Sequence, residues 1–257
     1  MMSPRAVAMA AALLVAGIGS ALAQGAIEET LEELGPAVRP IQVRSVLPKQ
    51  VDLSATVPPP RSQGATKSCT SWSTVYGAAT QAYRRTHPGG PVLSPAFTYN
   101  QVSNDPYCQS PTRISSTLNM LRDVGVLPLD DYAFDAGWCG RRPSAAERSD
   151  AARYRIKSWR ALDGSRLDQV KTELAEGRVV IFSVGMGDAL RAHSGTGVFL
   201  KDSEPKSGHA MLAVGYDDAR QAFRIQNSWG RGWADGGYAW FGYDYWRERA
   251  RAAYVID

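Results

Sequence analysis

The sequence predicts an α+β protein with helices in its first half and mostly antiparallel strands in its second half. Between about residues 69 and 121, apolar side chains recur every three or four positions, which is the period of an α-helix. After about residue 154 the apolar segments are short and bounded by turns, which is typical of strands. This order of elements predicts two lobes with a cleft between them.

The composition supports a folded domain of ordinary size. Of 257 residues, 44% are hydrophobic and 21% are charged, so a disordered chain is excluded. The formal net charge is +4, and the basic residues do not gather into a stripe. We therefore do not expect nucleic acid as a partner.

Residues 1–23 have the features of a secretory signal peptide. Arg5 is their one charged residue, an apolar run follows it, and small residues precede position 24. The run is shorter than the ~20 residues that span a bilayer, so an uncleaved anchor is the weaker alternative. We expect an exported protein, secreted or periplasmic, with no membrane anchor after cleavage.

Residues 24–46 form a short acidic extension before the main domain. Ile27, Leu31 and Leu34 have helical spacing, and Gly35 with Pro36 ends the pattern, which predicts a helix over residues 27–34. The proline run at 58–60 then predicts an extended, irregular chain.

Each later element follows from a local pattern. The first long helix begins at Cys69 and ends before His87, and Ser94 with Pro95 is a typical start for the next one. Other helices are predicted around Ile114–Leu121 and Leu167–Leu174. Strands are predicted at 154–159, 179–184, 209–216, 223–226, 238–241 and 254–256.

Four residues are candidates for chemistry. Cys69 opens a helix, where the partial positive charge of the free N–H groups favours the nucleophilic thiolate. His209 opens a strand, and the side-chain oxygen of Asn227 is able to orient its ring. Gln63 is able to donate a hydrogen bond to an oxyanion. Each residue alone also has a structural interpretation: a buried cysteine, a core histidine, a turn asparagine or a solvated glutamine.

The remaining histidines, His87 and His193, lie in loops and are not expected to take part. Their spacing from the cysteines does not suggest a zinc site, so neither a metal nor a cofactor is expected.

Together these segments resemble the papain-like cysteine peptidases. The residues that carry the resemblance are Gln63-Gly64 with Ser68-Cys69, then Gly208-His209-Ala210, then Asn227-Ser228-Trp229-Gly230. The resemblance covers residues 47–257 and implies a helical lobe carrying Cys69 and a β-rich lobe carrying His209. It also implies Cys69 as nucleophile, His209 as general base and acid, Asn227 as orienting residue and Gln63 as oxyanion donor.

The chain departs from the family pattern at several points. Thr70 stands where a tryptophan usually follows the nucleophile, and Thr66 replaces a cysteine, so that family disulfide is absent. Cys108 and Cys139 are the expected disulfide, worth roughly 3 to 4 kcal/mol in the chain-entropy model. We do not expect the long inhibitory propeptide of the family, because residues 24–46 number only 23, and one hypothesis is that the acidic helix over residues 27–34 covers the cleft.

The resulting prediction is a cysteine-type endopeptidase that acts on proteins or peptides through a covalent acyl-enzyme, most simply as a monomer. Two alternatives stay open. One is a catalytically silent binding module with the same fold, and the other is an acyl-transferring enzyme that shares the intermediate but uses an amine acceptor.

Overall fold

A computed structural model describes residues 25–257 of the chain. The predicted signal peptide, residues 1–23, lies outside the described residues. Within residues 25–257 there is no helix that is both long and apolar enough to cross a bilayer.

The described chain forms a helical lobe followed by a β-rich lobe, in the order that the sequence predicts. Its α-helices are α1 (Leu31–Leu34), α2 (Cys69–Ser71), α3 (Thr80–Thr86), α4 (Pro95–Val102), α5 (Ile114–Asp123), α6 (Ala145–Ala151), α7 (Leu167–Ala175), α8 (Asp188–Arg191) and α9 (Tyr243–Arg249). Its strands are β1 (Gln50–Asp52), β2 (Trp159–Asp163), β3 (Val180–Met186), β4 (Val198–Phe199), β5 (Ser207–Asp217), β6 (Ala222–Gln226), β7 (Tyr238–Gly242) and β8 (Ala252–Ile256). The predicted α+β class is confirmed.

The helix that starts at Cys69 is continuous to Thr86, as predicted, but its middle is not α-helical. Residues Trp72–Ala79 form a π-helix between α2 and α3. Such wide turns are rare and often occur near functional sites. The next helix, α4, is capped by the Ser94 side chain, which accepts a hydrogen bond from the Phe97 N–H at 3.3 Å.

The strands form one sheet in the order β2-β8-β3-β5-β6-β7-β4, with β1 added to β5. All pairs are antiparallel except β4 with β7. The central strand β5 has one face toward the helical lobe, where Ala210 and Leu212 join the core shared by the two lobes. Its other face, with Met211 and Ala213, lies in the core of the β-rich lobe. The start of β5 therefore lies where the two lobes meet.

Two predicted elements differ from the structure. The segment 154–159 is not a strand, because a 3₁₀ turn over Ala152–Tyr154 follows α6 and β2 begins only at Trp159. The predicted helix over residues 27–34 is reduced to α1, which Thr30 and Glu33 start with a capping box. The residues before Thr30 are extended because they pair with the rest of the protein rather than with one another.

Candidate active site

Cys69 is the first residue of α2 and lies where this helix meets β5. Its side chain is fully buried. The Ala210 N–H, 141 residues further along the chain, donates to Cys69 Sγ over 3.4 Å. Because Ala210 follows His209, this contact places the candidate nucleophile and the candidate base at one junction between the lobes.

The His209 ring is oriented by Asn227. His209 Nε2 and Asn227 Oδ1 are 2.8 Å apart, and the Ser228 N–H donates to the same oxygen over 2.8 Å. An amide oxygen only accepts, so Nε2 carries the proton and Nδ1 is the basic nitrogen. Among residues 25–257, no hydrogen-bond partner is found for His209 Nδ1.

Trp229 covers this hydrogen-bonded pair. Its ring stacks on His209 with centroids 4.6 Å apart and an interplanar angle of 23°. Trp229 is itself buried, so water has little access to the bond between His209 and Asn227. A hydrogen bond that is shielded in this way is electrostatically stronger than one in water.

Gln63 is held close to the same segment. Its main-chain N–H donates to the Ser228 carbonyl over 2.8 Å, and its side-chain oxygen accepts from Ser228 Oγ over 2.6 Å. Its side-chain nitrogen donates to the Thr66 carbonyl over 2.6 Å. An amide nitrogen has two protons, so one N–H of Gln63 remains for an oxyanion.

The two threonines that depart from the family pattern both make buried hydrogen bonds. Thr66 Oγ1 donates to the Gln63 carbonyl over 2.8 Å, which braces the loop where the family disulfide is missing. The Thr70 hydroxyl bonds to that of Thr112, across the helical lobe. These contacts have no simple signal in the sequence.

A segment that the sequence places outside the main domain lies across the nucleophile. We call residues 25–30 the N-terminal strap. The Ala26 N–H donates to the Gly208 carbonyl over 3.1 Å, while the Ile27 N–H donates to the Thr112 carbonyl over 2.9 Å. The strap thus bridges the two lobes, and its Gly25 N–H reaches the Cys69 sulfur. The helix named in the sequence hypothesis does not lie over Cys69; the extended residues before it do.

Glu29 anchors the strap. Its buried carboxylate accepts hydrogen bonds from the Ser115 N–H at 3.1 Å, from the Tyr254 hydroxyl at 3.0 Å and from the Ser115 hydroxyl. Hydrogen bonds to a charged group are the stronger kind. The sequence shows Glu29 only as one of several glutamates.

Burial beneath the strap keeps the candidate pair uncharged. Desolvation raises the pKa of Cys69 to about 11, although hydrogen bonds from main-chain N–H groups partly oppose it. Desolvation also lowers the pKa of His209 to about 4, which the bond to Asn227 partly opposes. The expected lowering of the cysteine pKa by the helix terminus is therefore wrong for this covered state, in which desolvation is the larger effect.

The structure also describes the two remaining cysteines and the two remaining histidines. Cys108 and Cys139 form the expected disulfide. His87 is exposed and stacks on Tyr83, and His193 packs against Phe199, so neither joins the site. No group of metal-binding side chains occurs within residues 25–257.

Known proteins share sequence and fold with this chain. Residues 47–248 match the model of the papain family cysteine proteases. A curated relative, Peptidase 1 of Psoroptes ovis, is 29% identical over an alignment 230 residues long, which covers 81% of this chain and 65% of the relative. The chain spans less than two thirds of the length of the curated relatives it matches.

Two solved structures share the fold. Xylellain, a cysteine protease from Xylella fastidiosa, superposes with a TM-score of 0.78 at 22% identity, covering 91% of this chain and 95% of that one. A Carica candamarcensis cysteine protease in complex with E-64 gives a TM-score of 0.64 at 20% identity, covering 82% of this chain and 98% of that one.

Proposed function

The chain belongs to the papain family of cysteine proteases, and on that premise we propose that it is a cysteine-type endopeptidase that works through Cys69, His209 and Asn227. The proposal rests on two contacts at the junction of the two lobes. There the main chain beside His209 contacts Cys69 Sγ, and Asn227 holds the ring so that Nδ1 is the basic nitrogen.

In the proposed reaction, Cys69 transfers its proton to His209 Nδ1 and its sulfur attacks the carbonyl carbon of the scissile peptide bond. The remaining amide N–H of Gln63, with the main-chain N–H of Cys69, stabilises the oxyanion. His209 then protonates the leaving amine, the C–N bond breaks, and an acyl thioester remains. Water, deprotonated by His209, releases the carboxylic acid and restores the thiol.

The covered state is a latent form in this proposal. Cys69 and His209 are both fully buried under the N-terminal strap, and in this state the thiol and the imidazole are neutral. Displacement of the strap admits solvent and substrate, removes the desolvation and allows the thiolate-imidazolium pair to form. The structural disulfide and the predicted signal peptide support export to an oxidising compartment.

The test uses the chain carrying Glu29→Ala, which removes the anchor of the strap, and compares it with the same chain also carrying Cys69→Ala or His209→Ala, on denatured casein. We expect both variants to lose cleavage, while His87→Ala, an exposed histidine away from the site, keeps it. E-64, which is bound in the Carica candamarcensis structure, should titrate the cleaving enzyme in proportion to its active sites. Continued cleavage by Cys69→Ala would refute the proposal.

The same assay distinguishes hydrolysis from acyl transfer. Products are analysed by mass spectrometry with and without an added amine. Products that carry only free carboxyl termini support the peptidase, whereas amine adducts as the main products would show an acyl transferase.

A further inference from the structure

A cavity of about 480 Å³ lies on the helical lobe, between the end of α3, the segment that follows α6 and the end of β8. Its volume is within the range of sites that bind small molecules. Cys69, His209 and Asn227 do not line it. Because α3 continues the helical run that begins at Cys69, the cavity is at the opposite end of that run from the candidate nucleophile.

The deepest part of the cavity is aliphatic. Ala79, Leu93 and Ile256 line it and are buried members of the core shared by the two lobes. Ala82 and Ile156 also line it and pack against the same core, although they are only partly buried. We call these five residues the aliphatic floor. Such a surface favours a hydrocarbon chain, because binding removes apolar area from water.

Aromatic rings form one wall and are held by one another. The Tyr83 ring stacks on His87 with centroids 4.3 Å apart and an interplanar angle of 5°. On the other side, the Tyr154 ring lies 5.1 Å from that of Tyr83. The Thr86 hydroxyl is 2.9 Å from His87 Nδ1. These contacts join α3 to the 3₁₀ turn after α6, so the wall is formed before a ligand enters.

The outer edge of the cavity is basic. Arg85, Arg153, Arg155 and Lys157 line the cavity and are exposed, and we call them the basic rim. Arg153 pairs with Asp150 over 3.1 Å. In the described part of the chain, Arg85 and Lys157 form no ion pair. The rim therefore has positive charge that no acidic side chain neutralises.

The acidic residue of the lining is Asp257, and its side chain already has partners. The Asp257 carboxylate accepts from Arg160 Nε over 3.1 Å and from the Ser158 hydroxyl over 3.1 Å. It is thus paired with an arginine outside the rim. The charge of the rim remains available to an anion that enters the cavity.

We propose that this cavity binds a free fatty acid, with the hydrocarbon chain on the aliphatic floor and the carboxylate at the basic rim. The inference goes beyond the proposed peptidase function and does not depend on it. A neutral chain gains nothing from the charges of the rim, and a small inorganic anion buries no aliphatic surface. An amphiphilic anion interacts favourably with both parts of the cavity.

The first experiment titrates hexanoate, octanoate and decanoate into the full-length chain by isothermal titration calorimetry, below their micelle concentrations. We expect one molecule to bind per chain, with an affinity that rises about fourfold for each added methylene. 1-Octanol, the neutral counterpart of octanoate, should bind at least about tenfold more weakly than octanoate. Acetate should show no measurable binding.

Two variants test the two parts of the cavity. Arg85→Glu combined with Lys157→Glu should weaken octanoate binding at least about tenfold. The matched control is Lys49→Glu combined with Lys201→Glu, which makes the same change of net charge at exposed lysines outside the lining, and it should leave the affinity unchanged. Ala82→Trp fills the aliphatic floor and should also weaken octanoate binding at least about tenfold. Circular dichroism establishes that each variant is folded.

Equal octanoate affinity in the two charge variants, or an affinity that does not depend on chain length, would overturn the fatty-acid site. Binding is measured without a peptide substrate, so the result is independent of the peptidase proposal.

Vesicles of phosphatidylglycerol distinguish a free fatty acid from an acyl chain in a bilayer. We expect no sedimentation of the full-length chain with these vesicles that octanoate reverses. Sedimentation that octanoate reverses, and that Arg85→Glu with Lys157→Glu abolishes, would overturn the free acid as the ligand in favour of a membrane lipid.

Discussion

The buried anchor of the N-terminal strap gives the sharpest test of latency. In Glu29→Ala, the Ser115 N–H, the Ser115 hydroxyl and the Tyr254 hydroxyl lose their shared charged acceptor. Hydrogen bonds to charged groups contribute ~1.5–3 kcal/mol each, and the three share one carboxylate, so we take about 3 kcal/mol for the set. That free energy favours the covered state and is absent once the strap has left.

A loss of about 3 kcal/mol raises the uncovered population roughly 100-fold. Labelling of Cys69 by iodoacetamide at pH 7 follows this population when the strap closes faster than the reagent reacts. We therefore expect labelling of Glu29→Ala to be about 100-fold faster than that of the unmodified chain.

Glu32→Ala is the matched control, since Glu32 is an exposed acidic residue just beyond the strap. Circular dichroism under the labelling conditions establishes that each variant is folded. A folded Glu29→Ala protein that is labelled at the original rate would refute the anchoring role, and equal acceleration by Glu32→Ala would show that the effect is only one of net charge.

Three further predictions use other parts of the molecule. Gly25→Ala should also speed labelling of Cys69, because a Cβ at position 25 would lie 1.9 Å from the Lys67 carbonyl oxygen; an unchanged rate would contradict the observed path of the strap. Burial lowers the pKa of His209 to about 4 in the folded chain, against an ordinary value of 6.5, so the stability that its neutral ring contributes is fully present above pH 6.5 and is lost as the pH falls toward 4. Urea unfolding should show a loss of about 2.5 kcal/mol between pH 7 and pH 4.5, and a loss of the same size in His209→Gln would exclude this cause. Replacing Cys108 and Cys139 by serine opens a bridge with a sequence separation of 31 and should lower the unfolding free energy by about 4 kcal/mol, whereas a change below about 1 kcal/mol would show that the bridge is dispensable.

Much of the fold follows from local patterns in the sequence. The stretch from Cys69 to Thr86 is helical because apolar residues recur on one face and a turn follows. The strand with His209 is predicted because a short apolar run begins there, and the structure only extends it to Ser207–Asp217. Local patterns do not indicate the short elements β1, β4 and α8, which depend on their neighbours, and the π-helical turns are likewise unpredicted.

The sequence by itself determined the class of protein and the residues to examine, because the family motifs around Cys69, His209 and Asn227 are contiguous in the chain. Only the tertiary structure decided the state of the site. The strap, the nucleophile and the Gly208 carbonyl are far apart in sequence and meet only when the lobes pack together. Burial then reverses the expected direction of the cysteine pKa, since desolvation depends on everything that surrounds the thiol and not on its place in a helix.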